Sequence, residues 1–246
     1  MGHRIKRVLI WQNWVENQVR PVVYKREPTA NTLLYLPLKS DIVDQSWQST
    51  TRTLTSSWIS FTTAWWLNCI SIWSTWWLKL TSPYWLQSDL AKPITVSLLL
   101  YRTTTASWKI LDMAAQNSNR QHFDFTSSGQ LEMFVYNHNN DSSYAKLYAN
   151  FTTYQWNHVV YTITKTASNL YVNWVLISNW QWNPTYPWWL RPYSRDNTQA
   201  IFCDRTVNQY YSWLNWYARE LIMEQVEWSA DDVSNYYTWI KAKLWF

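Results

Sequence analysis

The 246-residue sequence predicts an all-β, two-sheet antiparallel sandwich closed by one short helix near its end. Three observations predict it. Short runs that alternate or are continuously apolar recur from residue 32 onward, at strand rather than helix lengths. Clusters of Ser, Thr, Asn and Pro separate them, as turns separate the strands of a sandwich. Only residues 229–244, SADDVSNYYTWIKAKL, carry a helical pattern.

Taken in order, residues 4–24, RIKRVLIWQNWVENQVRPVVY, read as a strand, a tight turn at Asn13-Trp14, and a second strand. The polar, Pro-containing KREPTAN (25–31) follows as a linker. The chain therefore divides into a basic hairpin arm with its linker (1–30) and a single β-sandwich body (31–246). The body opens on TLLYLPLKSDIVDQSWQ and continues through CISI, LKL, ITVSLLLYR, WKILDM, HFDFT, QLEMFVY, AKLYAN, HVVYTI, NLYVN, VLIS, AIFC and ARELIMEQ. At the end, Ser229 is placed to cap a helix over 230–243. Asp231 and Asp232 suit its first turn, and Lys241 and Lys243 its last.

Charge and cysteine content narrow the function classes. Net charge is +5, but residues 1–28 hold six basic residues (Arg4, Lys6, Arg7, Arg20, Lys25, Arg26) against Glu16 and Glu27. The remainder carries 15 basic and 14 acidic residues, a net of +1. A nearly neutral body argues against a broad nucleic-acid footprint. No stretch is apolar enough for a spanning helix. At the start, VLIW is too short an apolar run for a secretory leader, so export by that route is not expected. Cys69 and Cys203 are the two cysteines; nothing in their spacing demands a bridge, and two isolated buried thiols are expected.

The tryptophans are the anomaly. The chain has 22 Trp and 2 Gly, where average usage of roughly 7% would give about 17 Gly. TTAWWLNCISIWSTWWLKL (62–80) holds five Trp, and Asn precedes Trp at 13–14, 173–174, 179–180 and 215–216. Asn-Gly is the strongest two-residue hairpin signal, because a type I′ turn needs positive φ at both central residues. Tryptophan has a Cβ and a strand preference, so it is the wrong residue there. The pattern predicts that many of these tryptophans stand where glycine belongs, as happens when a UGA codon read as glycine is translated as tryptophan. The positions expected to be glycine are 14, 47, 58, 65, 66, 73, 76, 77, 85, 174, 180, 213, 216 and 245. Trp108, Trp156 and Trp228 sit in apolar periodic patterns and are expected to be authentic.

Three segments carry a family resemblance. LLYLPLKSDIVDQSW (33–47), with residue 47 read as glycine, resembles the opening of laminin-G-like, concanavalin A-type jelly-roll domains. YQWNHVVYTITKTASNLYVNWVLIS (154–178) resembles a hairpin of the same family, and LNWYARELIMEQVEWSADDVSNYY (214–237) its closing strand. They appear in family order and bracket residues 33–237. The departures are the missing glycines and Trp228, where the family has a smaller apolar residue. The resemblance implies a concanavalin A-like jelly roll with a glycan- or protein-binding role, and calcium at rim loops.

Catalysis is not expected. Retaining glycosidases need two carboxyls about 5–5.5 Å apart. Laminarinase-like enzymes of this fold carry a Glu-x-Asp-x-Glu strand. ELIME supplies Glu220 and Glu224, but Ile222 takes the Asp position, and Glu220 aligns with a structural residue of the noncatalytic family. His3, His122, His138 and His158 show no paired metal-ligand spacing, and His158 is expected to pack at a sheet face. No phosphate-binding Gly-rich loop emerges even with glycines restored.

For binding, the best local candidate is YNHNNDSSY (136–144). Tyr136, Asn137, His138, Asn139, Asn140, Asp141 and Tyr144 offer amides, a carboxylate and aromatic faces, the groups a sugar needs. Asp141 is also the one carboxylate placed for a rim calcium, thin support for a cation wanting six to eight oxygens. The expected function is a noncatalytic carbohydrate- or protein-binding module, an adhesion or lectin-type domain displayed on a phage tail or capsid or on a bacterial surface. The arm, residues 1–28, would dock it to an assembly partner. A decoration protein without ligand, or a glycoside hydrolase, are the other readings of the same fold.

Overall fold

The computed structural model describes residues 27–46, 53–57, 59–72, 77–81, 93–104, 108–112, 121–126, 128–136, 144–164, 166–181, 198–201 and 216–244. The expected arm hairpin at 4–24 lies outside them, as does the loop 137–143. Among the described residues, fifteen antiparallel strands form two sheets. One sheet runs β13 (Val175–Gln181), β12 (Ala167–Val172), β11 (Trp156–Ile163), β6 (Ile94–Arg102), β15 (Trp216–Glu224), β4 (Leu67–Ile72) and β3 (Ser60–Ala64), with β1 (Thr32–Leu36) also paired to β15. The other runs β10 (Tyr144–Ala149), β9 (Leu131–Tyr136), β8 (Gln121–Phe125), β7 (Trp108–Asp112), β14 (Thr198–Ile201), β5 (Trp77–Thr81) and β2 (Thr53–Ser57). Among the described residues one helix, α1 (Ala230–Leu244), follows β15.

The apolar runs explain the layering. β11 is buried along its whole length and β6 almost so, which is why ITVSLLLYR and WNHVVYTI read as continuous rather than alternating. Their inward residues, Val96, Leu98, Leu100, Val159, Tyr161 and Ile163, meet Phe123, Phe125, Leu131 and Met133 of the second sheet in the main core. Their other face, with Leu99, Tyr101, Trp156 and Val160, is covered by Val233, Tyr236, Trp239 and Ile240 of α1. The molecule thus has three layers: second sheet, first sheet, helix.

α1 starts where its cap dictates. Ser229 Oγ accepts from Asp232 N at 3.1 Å, while Ser229 N donates to Asp232 Oδ2 at 3.0 Å. This reciprocal pair satisfies two groups that the helix leaves open, and Asp231 and Asp232 face the positive end of its dipole. Ser229→Ala is expected to cost about 1 kcal/mol. The check is a lower urea midpoint at unchanged slope.

β15 changes neighbours halfway. Residues 216–218 pair with β4, whereas 221–224 pair with β1. A bulge between Arg219 and Ile222 makes the switch: Glu220 has φ 55°, and its N–H donates to Pro37 O at 3.2 Å. Trp216 opens β15 and is buried between the sheets, its ring 4.4 Å from that of Phe125.

Candidate functional site

The outer face of the second sheet, remote from the helix, adjoins the predicted binding loop, and among the described residues Lys146 and Tyr148 are exposed on it while Asp124 is buried. Phe123, Phe125, Leu131, Met133, Leu147 and Ala149 all point into the core. Strand alternation therefore turns Asp124 of β8, Glu132 and Phe134 of β9, and Lys146 and Tyr148 of β10 to the opposite face. The register sets them in rows. Tyr148 lies opposite Glu132, which lies opposite Asp124, while Lys146 lies opposite Phe134. Lys146 Nζ sits 5.2 Å from the centre of the Phe134 ring, within cation–π range. Lys146 and Tyr148 are exposed, and β10 is an edge strand, so the row is accessible from the side.

Of the predicted glycan-binding residues, the described backbone places two. Tyr136 and Tyr144 are direct partners at the ends of β9 and β10. Asn137, His138, Asn139, Asn140 and Asp141 lie outside the described residues. The loop thus springs from the strand pair that carries Phe134, Lys146 and Tyr148. Glu132, Phe134, Lys146 and Tyr148 lie outside the loop that the sequence singles out. Their signal was present in LEMFVY and YAKLYA, whose alternation marks every second residue as outward.

The carboxylates considered for catalysis are otherwise engaged. Glu220 and Glu224 both sit on the helix side of the first sheet and are almost wholly buried. Glu220 Oε2 accepts from Tyr35 OH at 3.0 Å, with Arg219 Nε at 3.8 Å from its other oxygen. Burial, then the neighbouring Glu220 charge, pushes the Tyr35 phenol well above its ordinary range. Glu224 accepts from Thr32 Oγ1 at 3.1 Å and from the Trp228 indole at 2.6 Å. These contacts tie β1, β15 and the start of α1 together, which is a structural task.

His158 behaves as expected of a packed residue. It is buried under Tyr236 and Tyr237 of α1, and its Nε2 is 2.8 Å from Ser97 Oγ. Burial pushes its pKa down to about 3. The unfolded chain therefore binds one more proton than the native state between about pH 6.5 and 3, and stability falls as pH drops through that window. Between pH 6.5 and 5, before most carboxylates titrate, the native protein should lose stability by up to about 1.4 kcal/mol per pH unit from this group. A His158→Asn variant should show a flatter profile in urea titrations there. Cys69 is a buried free thiol, its pKa raised to about 11 by burial.

A second concavity, a cleft of about 490 Å³, lies between the β3–β4 turn, β15 and the end of α1. Lys39, Trp66, Asn68, Arg219 and Lys243 line it. Arg219 is held there by donating to Asn68 O at 2.7 Å. Among the described residues no group of three or more His, Cys, Asp or Glu is gathered to hold a metal ion. Asp141, the carboxylate considered for calcium, is not among them. No helix of the described residues is long and apolar enough to cross a membrane.

Comparison with known proteins agrees with this architecture. Residues 74–181 match the family model described as the concanavalin A-like lectin/glucanases superfamily, of laminin-G type. The receptor-binding domain of botulinum neurotoxin C/D mosaic serotype superposes with a TM-score of 0.67 at 17% identity, covering 85% of this chain and 51% of that one. The binding domain of botulinum neurotoxin DC in complex with rat synaptotagmin II gives 0.66 at 13% identity, with 85% and 51% covered. The same toxin's binding domain in complex with SialylT gives 0.65 at 13%, again with 85% and 51% covered. The chain therefore spans about half the length of these structures, and identities this low establish the fold alone. No curated protein matches the chain. The chain therefore has a concanavalin A-like fold, with the laminin-G-type match confined to residues 74–181.

Proposed function

We propose that this concanavalin A-like domain is a noncatalytic recognition module that binds a glycan or a protein through the outer face of β8–β10 and the adjoining 137–143 loop. The observation that carries the reading is the open row of Tyr148, Glu132, Phe134 and Lys146, set beside a loop rich in amides. An aromatic face flanked by a carboxylate and an ammonium suits a sugar ring, whose C–H groups stack while its hydroxyls hydrogen-bond. The burial of Glu220 and Glu224 under the helix supports binding over hydrolysis. The structural neighbours are binding domains, crystallised with a protein in one case and with SialylT in another, which supports both ligand classes for this fold. In this reading the module is displayed on a phage tail or capsid or on a bacterial surface, where such ligands are met, and residues 1–28 attach it to a larger assembly.

Glycan-array and surface-protein binding test the proposal. Tyr148→Ala should weaken binding about tenfold, equivalent to about 1.4 kcal/mol. Glu132→Gln and Asp141→Asn should change which ligands bind. Silence of the folded protein across both libraries would favour a structural decoration role. Turnover of a β-glucan that is lost in Glu220→Gln would overturn the noncatalytic reading.

A further inference from the structure

The two tightest hairpins of the first sheet share one geometry and one chemical contradiction. Ala64 pairs with Leu67 across the β3–β4 turn, leaving Trp65 and Trp66 as a two-residue loop. Val172 pairs with Val175 across the β12–β13 turn, leaving Asn173 and Trp174. The φ angles are 48° and 69° in the first loop and 49° and 69° in the second. Positive φ at both central residues is the type I′ hairpin, the turn whose twist matches that of the flanking strands, and its preferred sequences are Asn-Gly and Gly-Gly. Asn173 fits its place: its Oδ1 accepts from His158 N at 2.9 Å and its Nδ2 donates to Asn157 Oδ1 at 3.1 Å. Trp65, Trp66 and Trp174 do not, because their Cβ atoms crowd the carbonyl in this region.

Among the described residues, three buried tryptophans differ from these three. Trp156, Trp228 and Trp239 are buried and lie outside the positive-φ group. The indoles of Trp156 and Trp228 donate to Ala64 O at 3.4 Å and Glu224 Oε2 at 2.6 Å. Trp66 and Trp174, by contrast, are 90% and 52% exposed, and Trp65 is 62% exposed, with its ring tilted against Tyr101. Gly129, one of the chain's two glycines, shows where the fold uses the residue: it sits in the β8–β9 connection with φ 82°.

We propose that positions 65, 66 and 174 are glycine in the protein as its own cell makes it, encoded by UGA and read there as glycine. The two loops then read Gly-Gly and Asn-Gly. The proposal does not extend to Trp216, which is buried in β15, or to Trp180, which lies in β13 without positive φ. It bears on recognition directly. The exposed indoles at 65, 66 and 174 are then no sugar-stacking platform, and the basic cleft beside Trp66 loses its aromatic wall. None of the three belongs to the β8–β10 face, so the functional proposal stands or falls separately.

The test is the gene together with the protein isolated from its natural cell. The expected result is UGA at codons 65, 66 and 174, UGG at 156 and 228, and peptide masses that carry glycine at the first three and tryptophan at the last two. UGG at any of the three positions, or a peptide mass carrying tryptophan there, would overturn the proposal for that position. In that case the indoles are native and return as candidates for the binding surface.

Discussion

Glycine at positions 65, 66 and 174 is expected to raise the melting temperature of the chain by roughly 10 °C. A residue with a Cβ held in the left-handed region costs about 1–2 kcal/mol. Glycine gives back a part, up to about 1 kcal/mol, because its unfolded chain is freer. The net is about 1 kcal/mol per position and about 3 kcal/mol for three, with Trp65 and Trp66 coupled because they share one loop. For a domain of this size each kcal/mol moves the midpoint by roughly 2–4 °C. Solubility should rise as well, since Trp66 and Trp174 extend apolar surface at hairpin tips. Calorimetry on the two purified chains reads the difference. An equal or lower midpoint for the glycine chain would show that the turns accept tryptophan without strain. Trp180→Gly is the control, because residue 180 lies in β13 without positive φ and glycine in a strand weakens it.

These loops also show how far local chemistry carries a reading. Asn173-Trp174 between NLYV and VLIS marked a two-residue hairpin before any coordinates, since β-branched runs on both sides fix where the turn must be. The cap of α1 was equally legible, because Ser229, Asp231 and Asp232 act on groups within one turn. The bulge between Arg219 and Ile222 was not. It exists because β15 leaves β4 for β1 at that point, and a choice between partners distant in sequence leaves no local mark. The outer row of β9 and β10 lay between these extremes. Alternation in LEMFVY and YAKLYA assigns the faces, but which face meets the core depends on the second sheet's packing against β6 and β11. Arg102 was invisible in the same sense. It is fully buried, donates to Gly129 O at 2.7 Å and lies 4.1 Å over the Phe125 ring, and burial lowers its pKa to about 10.

The same substitution at Trp228 should have the opposite sign and a larger size. Trp228 is 1% exposed at the junction of β15 and α1. Its backbone N–H donates to Thr95 Oγ1 at 3.0 Å, its indole to Glu224, and its ring packs 5.2 Å from that of Tyr236. Removing a buried aromatic side chain costs about 3–5 kcal/mol, and the added backbone freedom of glycine contributes up to about 1 kcal/mol more. That is a large share of the roughly 5–15 kcal/mol that holds a domain together. The Glu224 carboxylate also loses its indole donor. Trp228→Gly is therefore expected to release α1 from the first sheet and expose Leu99, Tyr101, Val160 and Tyr171. Circular dichroism should show reduced helix signal with the sheet signal largely kept, and the urea midpoint should fall steeply. Trp156→Gly, which removes the ring beside Tyr101 and its bond to Ala64 O, should follow the same direction. Stability gained at 228 would place this tryptophan with those of the hairpins and break the division between strained and packed indoles.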